Sequence, residues 1–186
     1  MRSPEPVVLR RGRVVLEPWG PQHDAELVEA GVDPEVWRWL PIAQPRTAAA
    51  MAEFRETHPG MPWAVVVDGV AAGSTSYLDV DSELGGLEIG ATWYRPDLWA
   101  TEVNPTCKWL LLDHAFRSLG ASRVTLKADA LNLRSQAAIR KLGCRYDGTL
   151  RHQRRRPDGT VRDAAFFSML AAEWPEAERA LLRRLE

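Results

Sequence analysis

The chain has 186 residues, of which 45% are hydrophobic and 26% charged, and its formal net charge is −1. These values predict one globular domain, residues 1–186, with a substantial core. They give the chain as a whole no electrostatic attraction for nucleic acid or an anionic membrane. No apolar run reaches transmembrane length and Met1–Pro4 lacks a signal-peptide core, so a cytoplasmic location without membrane contact is expected.

In chain order, Arg13–Pro18 reads as a strand stopped by proline. Pro21–Ala30 reads as a short amphipathic helix. Asp33-Pro34 opens a second helix that Pro41 closes, and Thr47 caps a third that runs to His58. Residues 62–67 and 71–78 are strands around an Asp68-Gly69 hairpin turn. The segment 87–143 is the centre of the chain. Leu87–Tyr94 alternates as a half-buried strand, with Glu88 on the polar side. Asn104 is placed to cap a helix with Pro105 at its first position and Gly120 as its stop. Val124, Leu126, Ala128 and Ala130 mark the next strand, and Asn132 caps a helix that Gly143 ends. A strand-helix-strand unit of this kind is a parallel crossover. Two further strands, roughly 145–155 and 160–171, surround Pro157-Asp158-Gly159, and Glu173–Glu186 forms a terminal helix. The fold class is therefore α+β, a mixed and mostly antiparallel sheet flanked by helices.

Several residues carry chemical potential. The helix start after residues 99–104 directs backbone N–H groups into a turn, an anion site in principle and more commonly a plain cap. Ser135 lies three, four and seven residues before Ala138, Ile139 and Leu142, which places its hydroxyl inward on the first turn of its helix. Glu88 is either a working carboxylate or a solvated one. On a helix Trp37 and Trp39 are about 200° apart, so one belongs in the core and the other is partly exposed and free to hold a ligand. Cys107 and Cys144 read as buried reduced thiols. The four histidines lack metal-ligand spacing, so no metal is expected. The run Arg154–Arg156 reads as a solvated hairpin face, and Asp163 as the partner of a neighbouring arginine.

The stretch "DALNLRSQAAIRKLGCRYDGTLR" followed by "RRPDGTVRDAAFFSML" resembles the GNAT acyltransferase superfamily, in the branch of the ribosomal-protein N-terminal acetyltransferases (RimJ/RimL type). The "LWATEVNPTCKWLLLDHAF" segment is similar to a subgroup with a W-x-T-x-x-N-x-x-x-K turn. The resemblance implies a GNAT-like sheet with one splayed parallel pair, acetyl-CoA as cosubstrate, no metal, and direct attack by an amine. That amine would be a small molecule or a protein N-terminus, and a homodimer is compatible with it. It implies coenzyme contacts at Trp99, Ala100, Thr101, Val103 and Asn104, with Asn132 and Arg134, and Thr101 offering its hydroxyl. The usual R/Q-x-x-G-x-G/A turn is replaced here, with Glu102 and Asn104 at the two small positions. It implies Ser135 as the acid for the departing thiolate, since Ile139 stands where many members carry Tyr. It implies Glu88 as base, a backbone N–H near Gly90 or Ala91 for the oxyanion, and Trp37 and Trp39 at the acceptor end. A non-catalytic acyl-CoA-binding module is the rival reading. A nucleotide-binding module ranks below it, because both phosphate-loop motifs are missing.

Overall fold

A computed structural model describes all 186 residues. Eight strands form one sheet in the order β1-β2-β3-β4-β5-β6-β8-β7. They are β1 (Leu9–Arg11), β2 (Val14–Pro18), β3 (Met61–Val67), β4 (Val70–Asp81), β5 (Gly86–Tyr94), β6 (Arg123–Asp129), β7 (Arg145–Arg155) and β8 (Val161–Leu170). The helices are α1 (Asp24–Ala30), α2 (Ala48–Glu56), α3 (Val103–Asp113, extended by a π turn over His114–Leu119), α4 (Leu133–Lys141) and α5 (Trp174–Leu182). Every neighbouring pair is antiparallel except β5–β6, which is parallel.

Strand alternation divides the core in two. Trp63, Val65, Tyr77, Leu87, Ile89, Val124, Leu126 and Phe167 face α3, α4 and α5. On the other face Ala64, Val66, Ala71 and Trp93 meet Leu27, Trp37 and Met51 from α1, the turn after it and α2. Hydrophobic burial on both faces holds the β2–β5 half. Over β6, β8 and β7 the second face is partly open: Leu150 and Leu170 stay exposed there, while Arg162 is buried and reaches the Trp39 carbonyl.

Two sequence expectations are corrected, and one strand appears that none foresaw. The helix expected over 35–40 is a single 3₁₀ turn, Pro34–Val36, capped by Asp33 through the Glu35 N–H at 2.9 Å. Between Pro34 and Pro41 the chain turns instead, which sends the Trp37 indole into the core, where it donates to Gly31 O at 2.7 Å. Asn104 does not cap α3. The helix starts at Val103 with Glu102 as N-cap, and Asn104 Oδ1 accepts from Tyr94 Oη at 3.1 Å. Pro105 still sits in the first turn, where its missing N–H costs nothing. Finally, β1 forms a hairpin with β2 that the short Leu9–Arg11 pattern does not announce. The Gly120 stop is left-handed (φ 72°), and Asn132 caps α4 by accepting the Ser135 N–H at 3.0 Å.

Candidate active site

β5 and β6 pair only over three rungs, Gly86–Arg123, Leu87–Val124 and Glu88–Thr125. Past Glu88 they part, so the facing backbone edges of both strands lack a strand partner. On its other side β5 carries a bulge. Ser74 pairs with Trp93 and Ser76 with Gly90, so two steps on β4 face three on β5. The extra residue is absorbed around Ala91, at φ +47°, an unusual value for a residue with a side chain. Ala91 and Thr92 have no register partner on β4.

Glu88 stands on the last rung before the strands separate and is 6% exposed. It is therefore not a solvated strand carboxylate. Lys127 Nζ approaches its Oε2 to 2.5 Å, off the hydrogen-bonding direction, so that oxygen lacks an aligned donor. Lys127 also donates to Asp79 Oδ2 at 3.0 Å and lies 5.1 Å above the Phe166 ring. Burial pushes the Glu88 carboxyl up, and Lys127 only partly offsets this. Gly90 leaves room for the carboxylate: a Cβ there would lie 2.7 Å from Glu88 Oε1. The uncovered sheet face beside this cluster forms a cavity of about 670 Å³, lined by Glu88, Lys127, Asp79, Asp147, Arg123 and Phe166 among others.

The two helix starts meet at the mouth of the cleft. Arg134, on the first turn of α4, stacks on the Trp99 ring at 4.2 Å. Trp99 Nε1 donates to Tyr94 O at 3.0 Å, and Ala100 takes φ +62°. The Thr101 hydroxyl is not a free donor. It donates to Leu98 O at 2.7 Å and accepts the Val103 N–H at 3.3 Å, because the turn needs its own cap. The Asn104 side-chain oxygen is likewise occupied, accepting from Tyr94 Oη at 3.1 Å. Glu102 points away from the turn to Arg13, 2.8 Å from Nη2, which answers the misplaced carboxylate the sequence suggested. Anion attraction here rests on the N-terminus of α3 and the Arg134 guanidinium. Ser135 is half-buried on the first turn of α4, and its hydroxyl takes no part in the Asn132 cap. Ile139 is buried in the core.

The expected acceptor end is less well assembled. Trp37 is 5% exposed, its ring 4.8 Å from that of Trp93, and only its edge reaches a recess of about 260 Å³ between residues 34–44 and Arg156–Asp158. Trp39 is half-buried beneath Arg38 and lines neither cavity, although its carbonyl accepts from Arg162 Nη1 at 3.2 Å. The arginine run is not uniformly solvated, since Arg156 pairs at 2.6 Å with the buried Asp129. Asp163 forms no ion pair and accepts the His152 N–H at 2.8 Å. Both cysteines are buried and free, their thiols pushed up by burial to about 12.

The sequence reading gave no role to two of the three lysines in the chain, Lys127 on β6 and Lys108 on α3, although Lys108 is the closing lysine of the W-x-T-x-x-N-x-x-x-K turn. Lys108 Nζ is buried beneath the bulge and donates to Thr92 Oγ1 at 2.7 Å. In a chain that uses arginine almost everywhere else, the rarity of lysine was the available signal.

The comparisons agree with this geometry. Residues 13–145 match the family described as Acetyltransferase (GNAT) domain. A GCN5-related N-acetyltransferase from Brucella melitensis aligns with TM-score 0.92 and 26% identity over 98% of this chain and 87% of that one. A provisionally assigned acetyltransferase from T. thermophilus aligns with TM-score 0.89 and 34% identity over 99% and 100%. Mycobacterium smegmatis RimJ in complex with CoA-disulfide shares the fold at 18% identity, with TM-score 0.83 over 96% and 95%. The sequence has no significant match among curated proteins. No helix is long and apolar enough to cross a membrane. With the family matched over most of its length and a splayed β5–β6 pair at its centre, the chain belongs to the GNAT acetyltransferase family.

Proposed function

We propose that this protein transfers an acetyl or other short acyl group from an acyl-CoA to a primary amine by direct attack, in the opening between β5 and β6. The observation that carries this reading is the buried Glu88 carboxylate at the rung where the strands part. The fit to the cosubstrate rests on two unpaired strand edges, which suit the amides of a pantetheine arm lying as an extra strand. The α3 N-terminus and Arg134 suit its phosphates.

In this scheme the acceptor amine enters from the cavity beside Glu88. Glu88 takes its proton, and a raised affinity for protons makes it a better base near neutral pH. The Ala91 N–H supports the negative charge that develops on the thioester oxygen. Ser135 delivers a proton to the departing thiolate, in place of the tyrosine that the buried Ile139 cannot replace. The lining carboxylates Asp79 and Asp147 favour an acceptor that is cationic before reaction. Trp39 remains a candidate for the outer rim of that acceptor, through its half-exposed indole. The loss of tyrosine at 139 favours a second reading, a module that binds acyl-CoA without turning it over.

Two measurements separate these readings. Acetyl-CoA should raise the melting temperature, corresponding to about 2.7 kcal/mol at a hundredfold excess over Kd. An amine panel monitored by free-thiol release should give turnover that requires both substrates. Binding without turnover leaves the non-catalytic module, and neither binding nor turnover rejects both.

A further inference from the structure

On the α3 side of β5, across the sheet from Glu88, a buried cation has no role in the scheme above. Lys108 is 6% exposed and makes no ion pair. Its Nζ donates to Thr92 Oγ1 at 2.7 Å and reaches Thr75 Oγ1 at 3.5 Å. The two threonine hydroxyls are 2.8 Å apart. Thr92 Oγ1 in turn donates to the Gly90 carbonyl at 3.3 Å. An ammonium buried without a carboxylate is costly, and an apolar residue of similar volume on α3 would avoid that cost. What the lysine gains must lie in what it holds.

What it holds is a single peptide unit. The Gly90 C=O and the Ala91 N–H belong to the same planar trans amide and point in opposite directions. Thr92 holds the Gly90 oxygen, so the Ala91 N–H is turned the other way. This is the amide at the bulge, where Ala91 is left-handed and lacks a register partner on β4, and where pairing with β6 has already ended. A strained conformation of this kind persists only when its surroundings over-determine it. The chain Lys108–Thr92–Gly90 supplies that determination from the rigid interior of α3.

We propose that Lys108 is a positioning residue: through Thr92 it locks the Gly90–Ala91 peptide so that the Ala91 N–H is aimed at the thioester oxygen where negative charge develops. This rests on the acyl-transfer reading above. Lys108 touches neither substrate. It acts by removing the freedom of one amide to flip, which would put a carbonyl oxygen where a donor is required. The arrangement also explains why a lysine serves better than a neutral residue. Two adjacent hydroxyls can satisfy each other in several orientations, and a strong donor to Thr92 leaves that hydroxyl to donate onward to Gly90.

The test compares the wild type with Lys108→Met and Thr92→Val, using acetyl-CoA labelled at its carbonyl carbon and difference infrared spectroscopy. A hydrogen bond from the Ala91 N–H lowers the carbonyl stretching frequency of the bound thioester. The wild type should show this shift. Both variants should bind acetyl-CoA with unchanged Kd and lose the shift. In both, kcat should fall about 10²-fold, the low end for one oxyanion donor, with little change in acceptor KM. A merely structural lysine would lower stability without touching the carbonyl frequency. Retention of both the shift and kcat in either variant overturns the proposal. If Lys108→Met does not fold, Thr92→Val, which is nearly isosteric, decides alone. If the wild type itself shows neither shift nor turnover, the acyl-transfer reading fails together with the inference.

Discussion

Lys108 and Lys127 approach β5 from opposite sides of the sheet, and their neighbours treat them oppositely. On the α3 side Lys108 meets two threonine hydroxyls, and burial pushes its ammonium down from 10.5 to about 8. On the open side burial also works to lower Lys127, but Glu88 and then Asp79 outweigh it and raise it. The side chain is the same, so the difference lies in the partners. On the α3 side the partners are hydroxyls that do not titrate near neutrality. On the open side they are a buried carboxylate and Asp79, which is in contact with solvent, bridged by the ammonium. A reaction that needs a fixed donor and a mobile proton at one strand would be served by this division.

The open side of β5 is tested most directly at Glu88. Glu88→Gln should reduce kcat by about 10³-fold, within the range for a positioned proton acceptor, while acetyl-CoA affinity measured by calorimetry stays unchanged. Full activity in that variant would mean the open side does not carry the proton chemistry. Ser135→Ala should cost about 10²-fold in kcat under conditions where chemistry limits the rate, and its acetyl-CoA affinity should move little.

Lys127→Met tests the same side through pH. Lys127 holds the Glu88 carboxyl below where burial alone would put it. Removing it raises that carboxyl further, so the acid limb of the kcat/KM profile should move to higher pH. An unmoved limb would show that Lys127 does not act on the group that titrates.

The smallest effect concerns stability. The folded state releases the Lys108 proton near 8, whereas the unfolded chain keeps it to about 10.5. Between those values the unfolded state binds more protons, so this group makes the fold more stable as pH rises from about 8 to 10.5. The two cysteines act in the opposite sense, because burial raises their thiols above the ordinary 9.0. The informative quantity is therefore the wild type minus Lys108→Met difference in urea unfolding free energy, which should increase over that window and be flat below it.

Much of the fold was legible from local pattern. The Asp68-Gly69 turn, the alternation of β5 and β6, the Asn132 cap and the Gly120 stop all act within a few residues of sequence, and all are present. The errors have one origin. Asn104 has the spacing of a cap, but the Tyr94 hydroxyl ten residues earlier competes for its side chain. The segment after Pro34 has helical residues, but the second core draws Trp37 inward and the chain turns to deliver it. Glu88 was legible as a residue on the polar side of its strand, whereas its burial was not, because Asp79 and Lys127 arrive from other strands.

The order of the elements, the parallel crossover at 87–129 and the family can all be read from the amino-acid sequence. These follow from hydrophobic period, capping residues and turn chemistry, which are short-range. Where β5 and β6 stop pairing, which way the Gly90–Ala91 peptide is held, and which lysine meets carboxylates rather than hydroxyls emerge once the elements are packed. Those outcomes depend on groups 16 to 48 residues apart in sequence, such as Thr92 with Lys108 and Asp79 with Lys127. No local propensity encodes the electrostatic and steric fields that such groups impose on one another once they are packed together.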